Sequence, residues 1–154
     1  MNQYVVFESQ ASNLILSDSN FASDVFLYNV WFGTITRLSQ NSETTPVGGN
    51  LNSFTPAISG DGKRVVFSSF ATNLVDENGD FDFSNDDTND AADVFLNVVA
   101  DVNSSNIGLY RISRTYSYQE ANGSTTEPAI SGDGTKVAFH SKAPNVASGV
   151  GIVS

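Results

Sequence analysis

Pro56-Ala-Ile-Ser-Gly-Asp-Gly-Lys-Arg-Val-Val-Phe-Ser-Ser69 returns, little changed, as Pro128-Ala-Ile-Ser-Gly-Asp-Gly-Thr-Lys-Val-Ala-Phe-His-Ser141. Each copy sets Ser-Gly-Asp-Gly between two short apolar runs. Asp-Gly supplies the positive φ that a tight hairpin needs, so the two runs of each copy are predicted to pair antiparallel. A chain that repeats a hairpin is first a question of repeat architecture.

The repeat extends outward from these hairpins. The run ending in Phe67 is followed at fixed spacing by Ala71 and Asn73-Leu74, as Phe7 is by Ala11 and Asn13-Leu14, and Phe139 by Ala143 and Asn145-Val146. Ser23-Asp-Val-Phe-Leu27 returns as Ala92-Asp-Val-Phe-Leu96, and Thr36-Arg-Leu-Ser39 as Tyr110-Arg-Ile-Ser113. The unit therefore has four segments, A (Pro-Ala-Ile-Ser), B (Val-Val-Phe), C (Asp-Val-Phe-Leu) and D (Arg-Leu/Ile-Ser). The second unit has gained about nine residues between B and C and about five between C and D, which loops absorb more readily than strands.

Each segment is short, rich in Val, Ile, Phe and Tyr, and bounded by Gly, Asn, Asp and Ser, which reads as a strand. No window repeats apolar residues at i, i+3, i+4 and i+7. The expected class is all-β, built as β-propeller blades of four antiparallel strands: a partial blade over 1–39, a complete one over 54–114 with an acidic insertion at 76–90, and a partial one over 127–154. Ala57, Ile58, Val66, Val94 and Leu96 are expected between blades, anchored by Phe7, Phe67 and Phe139, because one blade cannot bury both faces of its own sheet. Asp24 and Asp93, each just before Val-Phe, are expected to bond nearby backbone amides.

These residues resemble the WD-like repeat of TolB-type β-propellers, in which a Ser-x-Asp-Gly turn precedes a Val-Ala-Phe-x-Ser strand and an Asp-Val-Phe/Tyr strand follows. The resemblance covers about nine tenths of the chain. It implies a bacterial, often periplasmic or extracellular, setting and binding on a propeller face. TolB-type propellers have about six blades, and the strands here make about two. The expectation is a piece of a longer propeller, or head-to-tail self-association that completes a ring; a lone open stack buries too little surface. In the ring, segment B would be present twice, once from each end.

Net charge is −10, with seven Lys plus Arg. Such a surface repels phosphate backbones, and no basic stripe interleaved with aromatics offsets it, so nucleic acid is not an expected partner. Lys63, Arg64, Lys136 and Lys142 recur near segment B and read as exposed edges. No segment is apolar for the length of a membrane span, so membrane insertion is not expected, and Met1-Asn-Gln-Tyr4 lacks a signal-peptide layout. Cysteine is absent, which removes disulfides and thiolate chemistry.

The acidic insertion is the local feature with the most chemistry. Asp76, Asn78, Asp80, Ser84 and Asp87 fall on positions 1, 3, 5, 9 and 12 of a calcium loop, with Asp82 between them, although Phe81 stands where glycine makes the turn and Asp87 replaces the bidentate Glu. A shorter frame runs from Asp86 to Asp90 and on to Asp93. A solvated acidic loop is the simpler reading of the same residues. His140 is the only histidine and aligns with Ser68 and Glu8, an ordinary outward position, and no Gly-x-Ser-x-Gly elbow is present. Trp31-Phe32-Gly33 and Tyr116 and Tyr118 mark loop tips that can bind ligands or cap a sheet.

The function expected is therefore a non-enzymatic protein-interaction or scaffold module. The alternatives are a calcium-dependent extracellular binding or adhesion module using 76–90, and the non-catalytic propeller of a larger hydrolase.

Overall fold

The computed structural model describes residues 3–43, 45–77, 83, 87–99 and 108–146. It is all-β: among the described residues nine strands form three antiparallel sheets and there is no helix. The first sheet is β1 (Tyr4–Ser9), β2 (Asp24–Asn29) and β3 (Thr34–Arg37) in that order. The second is β4 (Ser53–Ile58), β5 (Arg64–Ser69), β6 (Asp93–Val98) and β7 (Gly108–Arg111), and the third is β8 (Thr125–Ile130) with β9 (Val137–Ser141).

Both Ser-Gly-Asp-Gly segments make the hairpins expected of them, β4 with β5 and β8 with β9. Gly62 and Gly134 take φ of 74° and 70°. Asp61 Oδ1 accepts from the Ser59 hydroxyl and the Lys63 amide, and Ser59 Oγ accepts from the Arg64 amide, so the side chains of the turn bind its backbone. Asp133 and Ser131 repeat the pattern. Each first strand carries an irregularity just before its proline, at Thr55 and Glu127, both with positive φ. There the bulge lets the chain pass a residue that has no N–H to pair.

The sheets stack face to face, and alternation along β5 shows how. Val65 and Phe67 point to the first sheet, into a core with Val25, Leu27, Leu38, Leu74 and Phe95. Val66 points the other way and packs with Leu96 and Val137, backed by Ala57, Ile130 and Phe139. Phe67 is fully buried and stacks on Phe95, ring centroids 5.8 Å apart. Phe7 stacks likewise on Phe26 at 5.6 Å but stays half-buried, because Val5 and Phe7 look away from the second sheet. Val66, Val94 and Leu96 are buried as expected, while Ala57 and Ile58 are half-buried.

Backbones also meet between sheets. The Gly60 amide donates to the Gly132 carbonyl at 2.8 Å, and a Cβ on Gly60 would lie 2.9 Å from that oxygen. Because successive strands run antiparallel, the connections after β1, β3, β5 and β7 leave from one end of the stack. Asn73 and Asn145, the asparagines at fixed spacing after segment B, tie these connections together: Asn73 bonds Gly48 and Asn50, and Asn145 bonds Glu120 and Asn122. No helix among the described residues is long and apolar enough to cross a membrane.

Candidate functional site

Two ion clusters occupy the loop-bearing end, one per repeat, and both start from segment C. Asp24, at the head of β2, takes the Ser39 hydroxyl on Oδ1 at 2.5 Å and the Asn20 amide on Oδ2 at 2.8 Å. Arg37, at the end of β3, places Nη1 3.5 Å from Asp24 and 3.7 Å from Asp18, with all three side chains buried. Ser39 Oγ in turn accepts from the Val25 amide at 3.0 Å. The expectation that Asp24 and Asp93 bond backbone amides is thus corrected. The serine bonds the amide, and the aspartate binds serine and arginine, because a full negative charge at zero exposure calls for a counter-charge.

The second cluster repeats this around Asp93. Ser113 Oγ donates to Asp93 Oδ1 at 2.6 Å and accepts from the Val94 amide at 3.0 Å, and Arg111 Nη1 donates to Asp93 Oδ2 at 2.9 Å. Asp87-Thr88-Asn89 precedes Asp93 at the spacing of Asp18-Ser19-Asn20 before Asp24. Asn89 Oδ1 binds the Ala91 amide as Asn20 Oδ1 binds the Ala22 amide. Phe21 and Asp90, next in sequence, share a positive φ.

Two acids distinguish the second cluster. Arg111 Nε donates to Glu77 at 2.9 Å, and its Nη1 also bonds Glu120. Glu77 is shared with Arg114 at 2.7 Å. In the first cluster Gly48 occupies the place of Glu120, against the Arg37 guanidinium, and Arg37 Nε has no hydrogen-bond partner among the described residues. The cluster around Arg111 therefore gathers Glu77, Asp87, Asp93 and Glu120 against two arginines.

This imbalance moves protonation. Burial pushes Asp87 up to about 7, helped by the facing carboxyl of Glu120 and the charge of Asp93. Among the described residues no donor reaches either Asp87 oxygen, so a hydrogen bond between the two carboxyls needs one of them to carry a proton. Burial also pushes Asp93 and Asp24 up, against the serine bonds that lower them. For Glu120 burial is outweighed by bonds from Thr88, Asp87 and Arg111, and the net direction is down. Arg111 is raised: its burial favours the neutral form, but the surrounding carboxylates prevail.

Of the residues expected to ligate calcium, Asp76 and Asp87 are among those described; Asn78, Asp80, Asp82 and Ser84 lie outside them. Asp87 groups with Asp93 and Glu120, whose ligating oxygens all lie within 4.8 Å of one another. Asp76 lines a separate groove of about 730 Å³ with Glu43, Phe83, Tyr110 and Arg114. Glu120 and Glu77 were not legible as partners of Arg111. The available signal was the doubled Arg-x-Ser of segment D, since an arginine kept beside strand residues in both copies needs acids. His140 is exposed on β9, as expected, as are Lys63, Lys136 and Lys142, but Arg64 is half-buried over Gly134. Trp31, Phe32, Tyr116 and Tyr118 are all exposed. No protein-family model matches the chain, and no curated protein matches it.

Proposed function

We propose that this chain is a non-enzymatic protein-binding module of a TolB-like propeller, and that it binds with the end of the stack that carries the long connections. The observation behind this reading is the backbone at Phe21 and Tyr118. Both residues have φ near +60° (57° and 61°), yet the residues are 96% and 78% exposed. A left-handed backbone costs a bulky residue of order 1–3 kcal/mol. Here that cost is met with no apolar burial in return, and Leu16 and Tyr116 are exposed at the same end. Aromatic side chains held in solvent on a rigid scaffold are suited to anchoring a partner protein. The net charge of −10 favours a basic partner, and the family resemblance supports a setting outside the cytoplasm.

The experiment compares the intact chain with F21S/Y118S and with W31S/F32S, a control at the opposite end. Each is immobilised, retained protein is identified, and its affinity is then titrated by calorimetry. A partner held by the intact chain and the control, and weakened tenfold or more on F21S/Y118S, supports the reading. Equal retention by all three overturns it.

A further inference from the structure

The two ion clusters are the same device built twice, so the first serves as an internal control for the second. In the first, Asp18 and Asp24 share one arginine, and a glycine lies against it. In the second, Glu120 replaces that glycine and, with Asp93 and Glu77, engages Arg111. Asp87, the counterpart of Asp18, is left with both carboxylate oxygens buried and, among the described residues, without a donor. A carboxylate in that position calls for a positive charge.

The surroundings specify which kind. Asp87 comes from the β5–β6 connection, Asp93 from the head of β6 and Glu120 from the β7–β8 connection, and each brings carboxylate oxygen. The three ligating oxygens lie within 4.8 Å of one another, close enough to share one cation. Magnesium requires near-octahedral geometry at about 2.0–2.1 Å, which donors from three segments satisfy less readily.

We infer that Asp87, Asp93 and Glu120 form a binding site for a hard divalent cation, calcium before magnesium, which fastens the β5–β6 connection to the β7–β8 connection. Thr88, whose amide and hydroxyl already bond Glu120, sits at the same junction. Arg111 beside the site repels the cation, so binding belongs at the weak end, about 10⁻⁴–10⁻³ M, of calcium modules. The site shares Asp87 with the loop frame beginning at Asp76 but takes Asp93 and Glu120 from outside it, and it does not depend on the protein-binding reading.

The test uses the full chain stripped with a chelator and titrated with calcium chloride or magnesium chloride alone, read by Tm and calorimetry. Calcium raises Tm by a few degrees at millimolar concentration. Asp87→Asn and Glu120→Gln each weaken the response tenfold or more, and Asp76→Asn leaves it intact. Folding of every variant is checked by near-ultraviolet circular dichroism, and Glu120→Gln carries the test if Asp87→Asn does not fold. A response that survives in both Asp87→Asn and Glu120→Gln overturns the site in favour of diffuse binding along the acidic connection. No response at millimolar calcium also overturns it, and would mean that a proton alone relieves the pair.

Discussion

The Nε–H of Arg111 donates to Glu77 at 2.9 Å, and Glu77 accepts a second bond from Arg114 at 2.7 Å. One carboxylate thus holds two guanidinium groups, one fully buried and one partly so. Glu77→Ala should destabilise the fold by about 2 kcal/mol, the typical worth of a hydrogen bond to a charged group. Urea melts would show it as a lower midpoint at unchanged slope.

Ser39 and Ser113 each bridge a strand amide to a buried aspartate. Removing either hydroxyl strands both groups, at about 1–3 kcal/mol. Ser39→Ala and Ser113→Ala should therefore cost similar amounts in thermal melts; an effect confined to one would mean that the two clusters do not share an energetic role.

Tyr4 lies over Gly62 as Arg64 lies over Gly134, one sheet reaching over the hairpin of the next. A Cβ on Gly62 would run into the Tyr4 ring, whereas at Gly33, with φ of 65°, it would meet nothing within 4 Å. Gly33→Ala should cost about 1–2 kcal/mol from backbone conformation alone, and Gly62→Ala should cost more. A double-mutant cycle with Tyr4→Ala should recover the excess at Gly62 and none at Gly33.

Asp133 carries the pH dependence of the second hairpin. The Ser131 hydroxyl, followed by the amide and hydroxyl of Thr135, holds its carboxyl down at about 2. A carboxyl lowered on folding stabilises above its unfolded value near 3.9, and that stability is lost as pH falls through the folded value. The difference between the intact chain and Asp133→Asn should thus be constant above about pH 4 and fade toward pH 2. Acid titration followed by circular dichroism checks this; a difference that persists unchanged at pH 2 would contradict it.

Much of this fold could be read from local chemistry. The all-β class, both hairpins and the burial of Val66, Phe67, Val94 and Leu96 follow from period-two apolar runs and Asp-Gly turns, which act over neighbouring residues. The equivalence of Asp24 with Asp93 was visible in the repeat, but their partners were not. The aspartate heads one strand and its serine and arginine end the next, so only antiparallel pairing across a connection brings them together.

Asp87 shows the same division most sharply. Its sequence neighbours offered a contiguous calcium loop, while the fold sets it against Asp93 and Glu120. Glu120 belongs to a connection more than thirty residues away and replaces a glycine of the sister cluster. The amino-acid order determined which segments become strands and which turns join them, because hairpin geometry and strand alternation depend on adjacent residues. The charge balance of each buried cluster depends on side chains delivered by separate connections, so tertiary structure alone decided it.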